Sequence, residues 1–200
     1  MDLRTKLVKE GYDKCGRQYL LARNKYKNQK YLDDLINRLS KGDKVLDLGC
    51  GGGIPIDRYL VGKDMVVTGV DISGEQIKLA RTNVPTANFL QVDMREIDYP
   101  ENSFQAVVSF YAIFHVPRIE HYSLFKKIYN ILEKGGYFLL TLGSSDWEGE
   151  EDFYGVKMFW SHYDPEKNLL LLKQSGFEII YHIFDESEGE KHLVVFCQKK

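Results

Sequence analysis

Two hundred residues, 44% hydrophobic and 28% charged, make an ordinary globular chain with enough apolar content for one sizeable core but not for two domains. The formal net charge of −2 gives no overall reason to expect a nucleic-acid partner, and no apolar run approaches the ~20 residues of a membrane span. The charge is uneven: residues 1–30 carry nine Lys/Arg against three Asp/Glu, whereas Asp146–Asp152 and Asp185–Glu190 are acidic. Solvated faces and loops explain this most simply, and a polyanion-binding N-terminus is the alternative. Cys15, Cys50 and Cys197 follow neither CxxC nor zinc spacing, and Met1 to Glu10 lacks the apolar stretch of a signal peptide. Reduced thiols in a cytoplasmic protein are expected.

The first 40 residues are expected to be helical, with Tyr31, Leu32, Leu35, Ile36 and Leu39 at helical spacing and Lys41-Gly42-Asp43 as the stop. A strand at Lys44–Leu48 runs into Gly49-Cys50-Gly51-Gly52-Gly53, and a helix starts near Pro55. Strand Met65–Val70, helix Ser73–Asn83 and strand Ala87–Val92 follow, Ser73 and Gln76 having capping-box spacing. Strand Gln105–Phe110, helix Ile119–Leu132, Gly135-Gly136 and strand Tyr137–Leu142 repeat the rhythm. Such alternation predicts a parallel sheet with helices on both faces. The end departs from it: helix Asp164–Ser175, strand Glu178–Phe184, Gly189 and strand His192–Gln198 must close antiparallel, for lack of a crossover helix. The chain is therefore expected to be one domain over 1–200, with a helical cap at 1–40, a ligand-binding half at 41–142, a long segment at 143–163 and a closing helix and hairpin at 164–200.

Parallel sheets bind ligands outside the carboxyl ends of their strands. In Asp47-Leu48-Gly49-Cys50-Gly51-Gly52-Gly53 the glycines permit a tight turn and close approach of a ligand to the backbone. Asp71, ending the second strand, is placed to accept from both hydroxyls of a ribose, and Asp93, ending the third, from an adenine amino group. Either acid alone would be taken for a cap or turn residue. Three acids at three successive strand ends, the first followed by the glycine turn, carry more weight.

With these residues the chain resembles the class I, Rossmann-like methyltransferases that use S-adenosylmethionine. Asp47-x-Gly49-x-Gly51-x-Gly53 matches the family's first motif, Val70-Asp71-Ile72-Ser73 the second and Gln91-Val92-Asp93-Met94 the third. Leu132-Glu133-Lys134-Gly135-Gly136-Tyr137 resembles the step before the fifth strand, with Lys134 in place of the usual Pro. Tyr12-Asp13-x-x-Gly16-x-x-Tyr19 looks like the N-terminal cap of small-molecule members, whose tyrosines cover the methionine end of the cofactor. The resemblance implies a three-layer sandwich around a seven-stranded, mostly parallel sheet with an antiparallel last strand. It implies S-adenosylmethionine as cofactor and S-adenosylhomocysteine as product, held by Tyr12, Tyr19, Asp47, Gly49, Gly51, Asp71, Ile72, Asp93, Met94 and Phe110. A nicotinamide-type fingerprint would need Gly at position 54, where Ile54 stands.

His115, in Phe110-Tyr111-Ala112-Ile113-Phe114-His115, is the candidate base, against a structural role in holding that loop or touching the cofactor. Tyr111, Trp160, His162 and Tyr163 are candidates to face the acceptor, and Asp164 before Pro165 is expected to cap the next helix. No Cys or Glu partner gives His115 and His162 a metal spacing, so no metal is expected. The Asn/Asp-Pro-Pro-Tyr signature of many amino and nucleobase methylators is absent. A small or medium organic acceptor, methylated at O or C rather than N, is expected. The alternatives are an RNA-directed enzyme using the basic N-terminus and a non-catalytic cofactor-binding or partner subunit. The 143–163 segment, rich in acids and large rings, is expected to be a mobile lid, or else to complete the core.

Overall fold

A computed structural model of the chain describes residues 2–23, 28–186 and 190–200. Two helices open it, α1 (Leu3–Arg23) and α2 (Gln29–Ile36). Then follow β1 (Lys44–Leu48), α3 (Ile56–Gly62), β2 (Val66–Asp71), α4 (Gly74–Asn83), β3 (Asn88–Gln91) and β4 (Phe104–Ser109). Two short 3-10 turns lead to α5 (His121–Ile131) and β5 (Leu132–Gly143). The chain ends with β6 (Trp147–Phe153), β7 (Val156–His162), α6 (Pro165–Gln174), β8 (Phe177–Asp185) and β9 (His192–Lys199). Gly189, expected between the last two strands, lies outside the described residues.

Seven strands form one sheet in the order β3-β2-β1-β4-β5-β9-β8, parallel except for β9, which runs antiparallel to both neighbours. This is the Rossmann-like sheet with the expected antiparallel strand. Alternation along the strands divides the core. Leu46, Leu48, Val70 and Val107 pack toward Leu124, Phe125 and Ile128 of α5 and Leu171 and Leu172 of α6. Val45, Val67, Ala106 and Val108 pack the other way, onto Tyr31, Leu32 and Leu35 of α2 and Ile56 and Leu60 of α3. The helix caps are those expected: Ser73 Oγ accepts from Gln76 N at 3.2 Å, and Asp164 Oδ1 from Lys167 N at 2.9 Å.

The 143–163 segment differs from expectation. It is a second, two-stranded sheet in which β6 pairs antiparallel with β7 across a Tyr154-Gly155 turn, both residues having positive φ. Acids are poor strand formers, yet Glu148, Glu150, Glu151 and Asp152 lie on the exposed strand β6. Strand β7 supplies the packing: Met158 and Phe159 are buried in one cluster with Val8 and Cys15 of α1. A Cβ at Gly11 would stand 2.7 Å from Met158 Cε, so helix and hairpin are in close contact. Gly143 lies under His162, whose ring any side chain there would strike.

Candidate cofactor cleft

The glycine turn after β1 is drawn onto the end of β2. The N–H groups of Gly49 and Cys50 donate to Val70 O at 2.8 and 3.0 Å, and Gly51 N–H donates to Asp71 Oδ2 at 2.9 Å. Gly49 and Gly51 have φ of 79° and 54°, and a Cβ on Gly49 would collide with Ala112. Glycine is required here by both conformation and space. Asp71 Oδ1 accepts in turn from Ser73 N–H at 2.8 Å. Burial pushes the Asp71 carboxyl up to about 6, against the pull of those backbone donors.

Around this turn lie two adjoining hollows of about 520 and 510 Å³, volumes that include space open to solvent. The first is lined from the sheet by Asp47, Gly49, Gly51 and Phe110, and from α1 by Tyr12 and Tyr19. The second is lined by Asp71, Ile72, Asp93 and Met94, with Thr5 and Val8 of α1 above. Gly49, Asp71, Tyr12 and His115 border both, so the two form one continuous cleft. All ten residues expected to hold the cofactor come together there.

α1 roofs the cleft and is fastened at two places. Asp13 accepts from Ser73 Oγ at 2.7 Å and from Glu75 N at 3.3 Å, tying it to the start of α4. Arg95 binds Asp93 at 2.7 Å and reaches Thr5 Oγ1 at 2.5 Å and Asp2 at 3.3 Å. The Asp93 carboxylate is thus held by Arg95 as well as facing the cleft, a clasp the sequence reading did not anticipate. The first hollow holds no Lys or Arg among the described residues, while Asp47 and Asp71 face it with Tyr12, Tyr19, Phe110 and Tyr111. Acids and ring faces favour a cationic ligand.

His115 is buried, and both ring nitrogens are engaged. Nδ1 lies 2.7 Å from Phe159 O, which can only accept, so this nitrogen carries the proton. Nε2 therefore accepts from Tyr12 O–H at 2.9 Å. Burial lowers its pKa to about 4, leaving a neutral imidazole that links the roof, the β4 loop and the hairpin. The geometry supports the holding role over that of a base open to the acceptor.

The acceptor candidates separate. Tyr111, with φ 58° and its hydroxyl donating to Asn28 Oδ1 at 3.1 Å, lines the first hollow. Trp160 lies tilted against His115, ring centroids 4.3 Å apart, but with His162 it lines a separate depression. Tyr163 turns away, edge-on to His121 and beneath Arg118. His115 and His162 border different hollows, so the two do not converge. Among the described residues no three His, Cys, Asp or Glu groups gather as a metal site.

Gln76 does more than close a cap. Its backbone completes the cap, but its side chain is 1% exposed, lines the first hollow, and neither amide atom has a protein partner. A buried amide without a partner marks a place for ligand polar atoms. Together with the glycine cradle and the acids at the strand ends, it fits a ligand carrying an adenosine and an amino-acid tail.

Residues 45–136 match the model of a family described as a methyltransferase domain. The chain is 34% identical over 160 residues to cycloartenol-C-24-methyltransferase of Arabidopsis thaliana, covering 72% of this chain and 47% of that protein. It is 32% identical over 108 residues to the 27-O-demethylrifamycin SV methyltransferase of Amycolatopsis mediterranei, covering 51% and 39%. The chain thus spans about half or less of the length of these curated relatives. A solved SAM-dependent methyltransferase from Methanosarcina mazei superposes with a TM-score of 0.70 at 26% identity, over 82% of this chain and 95% of that one. The chain thus carries the match to a methyltransferase domain over 45–136 and has the fold of the class I, Rossmann-like methyltransferases.

Proposed function

We propose that this protein transfers the methyl group of S-adenosylmethionine to a small or medium organic acceptor, at oxygen or carbon. The observation that carries the reading is the single cleft that gathers Asp47, Asp71 and Asp93 from three successive strand ends beneath the tyrosines of α1. When bound, the cofactor supplies an electrophilic methyl on a sulfonium. Asp71 would accept from the ribose hydroxyls, Asp93 and Met94 would meet the adenine, and Asp47 and Gln76 would meet the amino-acid end. Tyr12, Tyr19 and Phe110 would exclude water and offer ring faces to positive charge. Neutral His115 adds no cation beside that charge and holds Tyr12 in place.

The relatives named above act at a sterol carbon and at a rifamycin oxygen, which supports the acceptor class, as does Phe110-Tyr111-Ala112-Ile113 where an amino-methylator's signature would stand. The RNA-directed alternative has less support, because Arg4, Lys6 and Lys9 already face Glu148, Glu10 and Asp13. No helix among the described residues is long and apolar enough to cross a membrane. Three free, buried cysteines support a reducing, cytoplasmic setting. Incubation with methyl-labelled S-adenosylmethionine and a metabolite extract tests the reading. Label in the organic-extractable fraction is expected; label confined to RNA, or no transfer to any fraction, would overturn it.

A further inference from the structure

An arginine offers five side-chain N–H groups in one rigid plane, and a carboxylate has about four acceptor sites. Arg95, two residues beyond Asp93, brings the two together. Its backbone N–H donates to Asp93 Oδ1 at 2.9 Å, its Nε–H is shared between Oδ1 and Oδ2 at 3.1 Å each, and Nη2 donates to Oδ2 at 2.7 Å. Three N–H groups of one residue thus hold both oxygens and fix the plane of the carboxylate. They leave room for about one further donor. Asp93 lines the second hollow, where a ligand can supply it.

The rest of the guanidinium is occupied by the roof and by the turn before α5. Nη2 also reaches Thr5 Oγ1 at 2.5 Å, Nη1 reaches Glu120 Oε1 at 2.8 Å, and both meet Asp2 Oδ2 at 3.3 Å. Thr5 Oγ1 gives its own proton to Asp2 Oδ2 at 2.6 Å, so toward Arg95 it accepts. Asp2 in turn accepts from the N–H groups of Arg4 and Thr5 at 3.0 and 3.1 Å, which ties the first turn of α1 to the same cluster. All five side-chain N–H groups of Arg95 therefore have protein acceptors. Arg95 borders the second hollow as well, but it offers a ligand no free donor there. A lysine in its place would keep the charge without the planar fork.

We propose that Arg95 is a positioning residue for the cofactor base. By pinning Asp93 in one orientation with a single acceptor site open, it makes the second hollow select a purine with an amino group at position 6 over one with an oxygen there. The amino group brings the one N–H that this site can take, whereas a 6-oxo group would set a second acceptor against the carboxylate. This choice of base rests on the cofactor reading above and adds to it the residue that enforces the choice.

Calorimetric titration should compare S-adenosylhomocysteine with S-inosylhomocysteine, which carries a 6-oxo group in place of the 6-amino group. Wild type is expected to bind S-adenosylhomocysteine about tenfold or more tightly. Arg95→Met and Arg95→Lys should both bring that ratio toward one, the Lys variant included because it restores the cation without the fork. An Arg95 that only held the fold together would weaken both ligands alike and leave the ratio unchanged. Wild type also gives a readout that needs no variant: nitrogen NMR should find an Arg95 Nε–H resonance protected from solvent exchange. The wild-type ratio in either variant, or no protected Nε–H resonance, would overturn the role of Arg95. A wild type that binds both ligands equally would overturn the selection at Asp93 while leaving the cofactor cleft in place. One that binds neither would overturn the cofactor reading, and the selection with it.

Discussion

Asp71 carries two loads at once, and replacing it by Ala separates them. Its oxygens accept from Gly51 and Ser73 N–H at 2.9 and 2.8 Å, and its free edge faces the cleft. Removing a charged acceptor from the ribose hydroxyls should cost about 1.5–3 kcal/mol of binding, or roughly ten- to a hundredfold in affinity. The loss should fall alike on S-adenosylhomocysteine and on 5′-methylthioadenosine, which keeps the nucleoside and sulfur but lacks the amino-acid tail, since both carry the ribose. Two part-buried N–H groups lose their acceptor as well, so thermal stability should drop by ~1–3 kcal/mol. The pH dependence has a defined sign. Because burial raises this carboxyl from 3.8 to about 6 in the fold, its contribution to stability is greatest at low pH and is lost as pH rises through about 6. Ligand binding runs the other way, needing the charged form, so wild-type affinity should fall as pH drops below about 6 and the variant should lack that step. Calorimetric titration from pH 5 to 8 measures the binding terms, and thermal melts over the same range measure the stability terms. Unchanged dissociation constants for both ligands would refute the placement of Asp71 under the ribose.

Nitrogen NMR of His115 should show a neutral Nδ1–H imidazole at pH 6, its pKa lying near 4, and an imidazolium at that pH would contradict the Tyr12–His115–Phe159 arrangement. That His contributes stability above pH 6.5 that is lost as the pH falls toward 4, so His115→Gln should flatten part of the acid limb of a melting series. Hydrogen exchange should find the β6–β7 amides slow both with and without S-adenosylhomocysteine, because they are paired and packed on α1; fast exchange in the empty protein would restore the lid reading. Phe125→Ala, removing a fully buried ring from the α5 face of the core, should destabilise by about 3–5 kcal/mol in denaturant melts, and a loss under 1 kcal/mol would mean that helix is misplaced. Filter binding to tRNA should show no salt-steep, sub-micromolar affinity; finding it would favour the RNA-directed alternative.

The strand ends were legible because their signal is local: acid, glycine turn and strand period occur within a few residues of each other. Asp47, Asp71 and Asp93 and the tyrosines of α1 therefore fall where the pattern puts them. What was hidden depends on contacts between distant segments. Strand β6 is composed like a loop, and only pairing with β7 on the flank of α1 makes it a strand. For His115 the sequence allows either a base or a loop-holding role, because its partners, Phe159 O on one nitrogen and Tyr12 on the other, lie 44 and 103 residues away. Gln76 fitted a capping box, and nothing within its helix shows that its amide turns into the cleft. Thr5, Val8, Tyr12 and Tyr19 do share one helical face, a signal that could have marked the whole underside of α1 as the roof.

Calorimetric titration of the purified protein with S-adenosylhomocysteine, run beside NAD as a competing Rossmann ligand, tests the cofactor cleft most directly. One molecule bound per chain, lost together with 5′-methylthioadenosine binding in Asp71→Ala, is the expected result. No heat with S-adenosylhomocysteine at millimolar ligand, or saturable binding of NAD in its place, would contradict it.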